Sequence, residues 1–258
     1  MFSHCEMLRT VCATRYVTPL REGGSLPAIV EADDDGLYVL KFRGAGQGPL
    51  ALVAELIAGE IGRALGLPVP EIVLVEVDEA LGRHERDPEI YALLQSSIGM
   101  NLALDYLPGS VMFDPAAGDA VDPVLASSTV WFDAFISNVD RTAHNPNLLL
   151  WHKKLYLIDH GASLYFHHDW RNIEQMARSR FPQIRDHLLL PWAAGIEEAG
   201  TRLQPELNET LFAGILAQVP DTWLVAGSRD AYVEYLRLRL AAVPLFVEEA
   251  VNARARLI

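Results

Sequence analysis

The segment 140–161 constrains the fold of this chain more than any other part of the sequence. It opens with Asp140, which directly follows an apolar, aromatic-rich stretch with helical spacing, and Asn145 comes five positions later. Two short apolar stretches joined by a basic turn then predict a β-hairpin. Asp159 ends the second of these strands and is followed by a histidine and a glycine. The spacing therefore predicts that a tight hairpin brings two carboxylates and an amide close together.

The sequence before this segment predicts a sheet with one main helix. The helix is expected from Pro49 to about Leu65, because apolar residues recur there at helical spacing and a glycine follows. Strands are predicted at 14–19, 27–31, 37–42, 72–77 and 99–107. Residues 79–90 are expected to form a charged loop. We therefore expect residues 1–107 to form an N-terminal lobe.

The remaining residues, 108–258, are predicted to form a mostly helical lobe. Its first helix begins where the N-cap residue Asp122 precedes Pro123, and it continues to about Val139. The predicted hairpin strands are 148–151 and 155–158. Helices interrupted by prolines follow. The predicted fold class is α+β, a two-lobed protein-kinase-like fold with an antiparallel-sheet N-lobe and a mostly helical C-lobe.

Composition excludes several classes of function. The formal net charge of −13 argues against a general nucleic-acid binder, which needs a basic surface. No apolar run approaches the roughly 18–20 residues that span a membrane, and the first residues lack a signal-peptide pattern. Two cysteines make no disulfide framework. We therefore expect a cytoplasmic protein without membrane or direct nucleic-acid partners.

The polar residues of segment 140–161 suit a site that holds Mg²⁺ and ATP. An Asp-x-x-x-x-Asn loop followed by an Asp-x-Gly turn is typical of protein kinases. Asp140 is the candidate catalytic base, because a carboxylate beside an acceptor hydroxyl orients it and takes its proton. Asn145 and Asp159 are the candidate Mg²⁺ ligands, since both offer oxygen atoms. Asn147 competes with Asn145, and the five-residue spacing from Asp140 favours Asn145.

Lys41 is the candidate ligand for ATP phosphates. It lies in an apolar strand that is similar to the Val-Ala-Ile-Lys strand of kinases. A buried lysine needs a counter-ion, and the following helix offers Glu55 or Glu60. The apolar face of the helix lies nearer Glu60, so periodicity leaves the choice open.

Two glycine-rich stretches and one histidine cluster are further candidates. Gly23, Gly24 and Ser25 lie between the first two predicted strands, where a kinase has its phosphate-covering loop, although a plain hairpin turn fits as well. The glycines of 44–48 do not match the spacing of a dinucleotide-binding loop. A zinc site at 167–169 is disfavoured, because three adjacent residues rarely reach one metal ion.

The motifs together resemble the HipA-like kinases, a bacterial branch of the protein-kinase-like fold. The resemblance runs from about Arg15 to Trp170, and three stretches carry it. They are Asn138-Val-Asp-Arg-Thr-Ala-His-Asn-Pro-Asn-Leu148, Leu157-Ile-Asp-His-Gly-Ala-Ser-Leu-Tyr-Phe-His-His168 and Leu65-Gly-Leu-Pro-Val-Pro70.

This resemblance implies a role for each candidate residue. Asp140 becomes the catalytic base, Asn145 and Asp159 the Mg²⁺ ligands, and Lys41 the phosphate ligand with Glu55 as its partner. The backbone of 104–107, which includes Asp105, Tyr106 and Leu107, is implied to bind adenine.

The expected function is ATP- and Mg²⁺-dependent phosphoryl transfer, with serine or threonine of a protein as the acceptor. A small-molecule or lipid kinase of the same fold is one alternative, because fold alone does not fix the substrate. A nucleotide-binding pseudokinase and a nucleotidyl transferase are the others. ATP is the one partner that the residues specify, and the acceptor remains open between a protein and a small molecule.

Overall fold

The computed structural model describes residues 7–20, 26–46, 48–83, 85–118, 121–224 and 227–257. The strands are β1 (Thr10–Pro19), β2 (Ala28–Ala32), β3 (Leu37–Lys41), β4 (Ile72–Val77), β5 (Gly99–Asp105), β6 (Val111–Met112), β7 (Leu148–Trp151) and β8 (Lys154–Leu157). The helices are α1 (Pro49–Ala64), α2 (Pro88–Ser96), α3 (Pro123–Ile136), α4 (Ile173–Ala177), α5 (Ile196–Leu203), α6 (Glu209–Leu216), α7 (Arg229–Ala241) and α8 (Val243–Ala255). The chain thus begins with a sheet and ends in helices, as predicted.

The N-terminal strands close into a barrel. Their order is β1-β2-β3-β5-β4, and the ring closes because β1 also pairs with β4. All pairs are antiparallel except this closing pair, which is parallel over the first three residues of β1. Leu40 lies in the cluster of apolar side chains inside the barrel. Because side chains alternate along a strand, its neighbour Lys41 lies on the outer face.

Helix α1 packs against that outer face. Pro49 occupies its first turn and Gly66, with φ 72°, follows its end in the left-handed region. Its apolar side chains share a core with Leu102 of β5, the register partner of Lys41. The outer face of the barrel therefore presents Lys41 to the same helix that carries Glu55.

Helix α3 forms the centre of the helical part. The Asp122 side chain accepts a hydrogen bond from the Val124 amide, and Ser137 ends the helix with φ 57°. Every residue from Ala126 to Ile136 is buried, and Trp131 stacks on Phe135 at 5.7 Å between ring centroids. This burial holds the residues just after the helix, including Asp140, on a rigid support.

Two elements were not predicted from the sequence. Helix α2 begins within the stretch expected to be a charged loop, with Asp87 as its N-cap and Pro88 in the first position. Only Leu94 of α2 is buried, so the apolar periodicity was too weak to identify it. Strand β6 has two residues and pairs with β7, which extends the predicted hairpin to three strands. Across the described ranges, no helix combines the length and apolar character needed to cross a membrane.

Candidate catalytic cleft

Lys41 joins the sheet, helix α1 and the turn after β8. Its Nζ atom lies 2.6 Å from Glu55 Oε2 and 2.6 Å from Asp159 Oδ1. Glu55 is fully buried, whereas the Asp159 side chain is 45% exposed. Glu60, the other candidate partner, instead pairs with Arg63 in its own helix at 3.1 Å. We call Lys41, Glu55 and Asp159 the cleft cluster.

The charges of the cleft cluster stabilise one another. Burial lowers the pKa of Lys41, but the Asp159 and Glu55 carboxylates outweigh that effect and hold the pKa above its ordinary value. Burial raises the pKa of Glu55, yet the Lys41 charge, aided by His160, lowers it to about 2. One ammonium therefore faces two carboxylates, and the second carboxylate is open to solvent.

The Asp-x-Gly turn gives Asp159 its direction. Asp159 adopts φ 55°, a left-handed conformation that aspartate tolerates better than most residues. A Cβ atom on Gly161 would lie 3.5 Å from Ala51 O and 3.6 Å from Glu55 Oε2, so the turn packs closely on helix α1. The Ile158 amide donates to Asn147 O at 3.1 Å. These contacts tie the turn both to α1 and to the loop after α3.

That loop surrounds the Asp140 carboxylate with amide groups. Asn145 Nδ2 donates to Asp140 Oδ2 at 2.7 Å, and Asn147 Nδ2 donates to the same oxygen at 3.2 Å. The Asp140 amide donates to Asn138 Oδ1 at 3.1 Å. Partial burial raises the pKa of Asp140; the Asn147 hydrogen bond opposes this shift, and the Asp159 charge adds to it. The loop thus fixes the position of the carboxylate, while burial and the Asp159 charge make it more basic.

The two candidate asparagines differ in how they are held. Asn147 is buried, its Nδ2 also reaches Asp140 O at 3.3 Å, and its backbone has φ 48°. Asn145 is half-buried, and its Nδ2 contact to Asp140 leaves its side-chain oxygen with no protein donor among the described residues. Asn147 is therefore the more deeply buried of the two, while the half-buried Asn145 can offer its side-chain oxygen to a ligand.

A buried ionic network behind the loop was not predicted from the sequence. Arg141 Nε donates to Asp133 Oδ2 at 2.6 Å, and its Nη1 donates to the carbonyl oxygens of Asn147 and Ile158. His187 Nε2 lies 2.8 Å from Asp133 Oδ2. We call Asp133, Arg141 and His187 the buried cluster. It joins the loop after α3 to the strand that leads into Asp159.

Every polar group in the buried cluster has a defined partner. His187 Nδ1 accepts from the Leu189 amide at 3.0 Å, so the ring proton lies on Nε2 and is donated to Asp133. Burial raises the pKa of Asp133, but the Arg141 charge and the His187 hydrogen bond hold it well below its usual range. One sequence signal pointed here: Asp133 is a charged residue inside an otherwise uncharged helix.

The backbone implied to bind adenine lies at the end of β5. The Asp105 amide donates to Glu71 O at 2.8 Å, and the Tyr106 amide donates to Leu37 O at 3.0 Å. No acceptor within the described residues takes the Leu107 amide. The amides of Asp105 and Tyr106 are therefore already used by the sheet, whereas that of Leu107 is available.

The other candidates lie apart from the cleft cluster or outside the described residues. Gly23, Gly24 and Ser25 fall outside the described ranges. His167 Nδ1 contacts the Tyr232 hydroxyl at 3.1 Å, and burial together with the neighbouring histidine lowers its pKa to about 3. In the part of the chain that the structure describes, no group of three or more His, Cys, Asp or Glu could hold a metal ion.

Comparisons with known proteins identify the family of the chain. The model of the HipA-like kinase family matches residues 14–243, so the chain belongs to that family. No curated protein matches the chain significantly.

Two solved kinase structures share the fold. The Helicobacter pylori proinflammatory kinase CtkA superposes with a TM-score of 0.58 at 13% identity, covering 97% of this chain and 99% of CtkA. The Golgi casein kinase with Mn and ADP bound gives a TM-score of 0.53 at 13% identity, covering 94% of this chain and 73% of that kinase. At such low identity the similarity shows a protein-kinase-like fold and no more.

Proposed function

We propose that this HipA-like kinase transfers the γ-phosphoryl group of Mg²⁺-bound ATP to a serine or threonine hydroxyl of a protein. The observation that carries the proposal is the pair of 2.6 Å contacts from Lys41 Nζ to Glu55 and Asp159. Those contacts bring together a residue of the sheet, a residue of α1 and the Asp-x-Gly turn. This is the combination of lysine, helix glutamate and metal-binding aspartate that protein kinases use.

Lys41 would bind the ATP phosphates. An ammonium that is partly exposed and held between two carboxylates keeps its charge, because its pKa lies above the ordinary value. Glu55 holds the lysine in place without itself reaching solvent. Lys41 can therefore meet a phosphate group without a large rearrangement of its own side chain.

Asn145 and Asp159 would hold the metal ion. The Asn145 side-chain oxygen and the half-exposed Asp159 carboxylate are hard oxygen donors, which fit Mg²⁺. The Golgi casein kinase, which shares the fold, is described with Mn and ADP bound. When bound, the divalent ion neutralises charge on the phosphates.

Asp140 would orient and deprotonate the acceptor hydroxyl. As the hydroxyl oxygen forms a bond to the γ-phosphorus, the bond from that phosphorus to the bridging oxygen of ADP breaks and the proton passes to Asp140. The raised pKa of Asp140 favours this proton transfer. Hydrogen bonds from Asn145 and Asn147 hold the carboxylate during the step.

The adenine ring would lie at the end of β5. The available donor there is the Leu107 amide, since the amides of Asp105 and Tyr106 already pair within the sheet. Because the donor is a backbone amide, the hydrogen bond to the base does not require a particular side chain at position 107, proline excepted.

Intact-mass spectrometry tests the proposal. The purified chain is incubated with ATP and Mg²⁺, alone and with a serine- and threonine-containing peptide library. We expect the mass of one phosphate on a Ser or Thr hydroxyl, lost in Asp140→Asn and kept in Asp186→Asn, an exposed aspartate outside the cleft. Transfer of a nucleotidyl group, transfer only to metabolites, or ATP binding without transfer would each overturn it in favour of the corresponding alternative.

A further inference from the structure

His160 occupies the middle of the Asp-x-Gly turn and is completely buried. Neither of its ring nitrogens makes a hydrogen bond to any described residue. Its ring packs edge-on against Phe132, with 5.8 Å between centroids and 71° between planes. Burying two polar ring atoms without partners is costly, so a histidine here needs an explanation that an apolar residue would not.

The nearest polar group lacks a partner as well. Glu55 Oε2 is bound by Lys41, but Glu55 Oε1 is buried and accepts no hydrogen bond from the described residues. His160 Nδ1 lies 3.5 Å from this oxygen. That separation is a few tenths of an ångström beyond an ordinary hydrogen bond of roughly 2.7–3.2 Å. A small rotation of the imidazole would let His160 Nδ1 and Glu55 Oε1 form a hydrogen bond with each other.

We infer that His160 is a positioning residue, whose Nδ1–H donates to Glu55 Oε1 and thereby holds the Glu55 carboxylate against Lys41. The inference rests on the proposed function, because it assigns a role within the same cleft. The backbone supports the ring: the Ser163 amide donates to His160 O at 2.9 Å. The turn is then tied to helix α1 twice, by Asp159 through Lys41 and by His160 through Glu55.

The double connection has a consequence for catalysis. Glu55 with one oxygen unbound could rotate about its side-chain bonds, and Lys41 would then lose its fixed position between the two carboxylates. A phenylalanine at position 160 could fill the same space against Phe132 but could not donate a hydrogen bond. An asparagine offers an amide donor near the position of Nδ1 in a smaller side chain.

Nitrogen NMR of the full chain without nucleotide tests the hydrogen bond itself. The ¹⁵N shifts and the ring-proton couplings of His160 distinguish a protonated from an unprotonated Nδ1 at neutral pH. We expect Nδ1 to carry the proton, and the signal assignment to be checked by its loss in His160→Asn. An Nδ1 without a proton would overturn the inference whether or not the protein transfers phosphate, so the two proposals can fail separately.

Steady-state kinetics test its consequence. We expect His160→Phe to lower kcat/KM by roughly tenfold or more, with a raised KM for ATP, since it removes a hydrogen bond to a charged group. His160→Asn should stay within about threefold of the wild type, because it keeps a donor. Equal losses in the two variants, or no loss in either, would contradict the inference. If the wild type itself transfers no phosphate, the proposed function fails, and the NMR result still decides the role of His160.

Discussion

The cleft cluster and the buried cluster both pair a cation with carboxylates, but they differ in the number of carboxylates and in their exposure to solvent. In the cleft cluster Lys41 faces two carboxylates, and one of them, Asp159, is 45% exposed. In the buried cluster Arg141 faces a single carboxylate, Asp133, and both side chains are fully buried. The first arrangement has an excess of negative charge at its open end, whereas the second is balanced.

This difference indicates which cluster acts on a ligand. Both carboxylate oxygens of Asp133 and both ring nitrogens of His187 have hydrogen-bond partners within the protein. None of these atoms is left for a ligand to bind. The Asp159 carboxylate contacts Lys41 but is partly exposed, and no described residue donates a hydrogen bond to the side-chain oxygen of Asn145. Both groups can therefore bind a ligand. We therefore propose that the cleft cluster binds the ligand and that the buried cluster supports the loop.

Replacing Asp159 by asparagine should give the largest effect on activity. The variant removes the open carboxylate, so we expect phosphoryl transfer to fall by about 10³-fold or more. Lys41 keeps Glu55 as its partner, and the stability measured by urea unfolding should change little. A large loss of stability together with activity would show that Asp159 has a structural role like that of the buried cluster, contrary to the difference drawn above.

Arg141→Met should give the largest effect on stability. It leaves Asp133 buried without its main counter-ion, a change that costs about 3–5 kcal/mol in comparable sites. Urea unfolding monitored by tryptophan fluorescence measures this loss. The matched control is Arg237→Met in an exposed pair on helix α7, which should leave the unfolding midpoint unchanged.

A second substitution tests whether the unpaired charge of Asp133 causes this loss of stability. In the double variant Arg141→Met with Asp133→Leu, no charge is left buried, so stability should be partly restored relative to Arg141→Met alone. A double variant less stable than the single one would show that the hydrogen bonds, and not the unpaired charge, dominate.

The buried cluster should also make the protein sensitive to acid. The pKa of Asp133 is depressed in the folded state, so the unfolded chain binds this proton more readily. The stabilisation is therefore complete above the unfolded pKa of about 3.9 and is lost as the pH falls below it. Glu55, with a pKa of about 2, acts in the same direction. The free energy of unfolding, measured from pH 7 to pH 3, should fall less steeply in Asp133→Asn than in the wild type.

Substitution of the two asparagines should give the smallest effects, and it separates a metal-binding role from a structural one. Asn145→Ala should raise the Mg²⁺ concentration needed for half-maximal activity by about tenfold, because it removes a proposed metal ligand. Asn147→Ala should lower stability by about 1–3 kcal/mol, since it removes a buried hydrogen-bonding side chain, and leave the Mg²⁺ requirement unchanged. The reverse result would exchange the roles of the two residues.

The local motifs could be predicted from the sequence because each depends on short spacing. The alternation around Lys41, the turn at Asp159 and the N-cap at Asp122 are all visible within a few residues. The choice between Glu55 and Glu60 could not be made in this way, because both lie on one helix and only its packing against β5 directs Glu55 to the lysine.

Long-range contacts account for what the sequence did not predict. The parallel pairing of β1 with β4 joins segments about 60 residues apart, and no local pattern encodes it. The partners of Asp133 come from the loop after α3 and from His187, 54 residues away. The lone aspartate in α3 signals that a partner exists but does not identify it.

Calorimetric titration with a non-hydrolysable ATP analogue, with Mg²⁺ and with EDTA, tests the central assignment most directly. We expect the wild type to bind the analogue with one-to-one stoichiometry and more tightly with Mg²⁺. Asp159→Asn should lose most of this dependence, while Arg237→Met should keep it. Equal affinity in Mg²⁺ and EDTA for the wild type would contradict the assignment of the open carboxylate to metal-bound nucleotide.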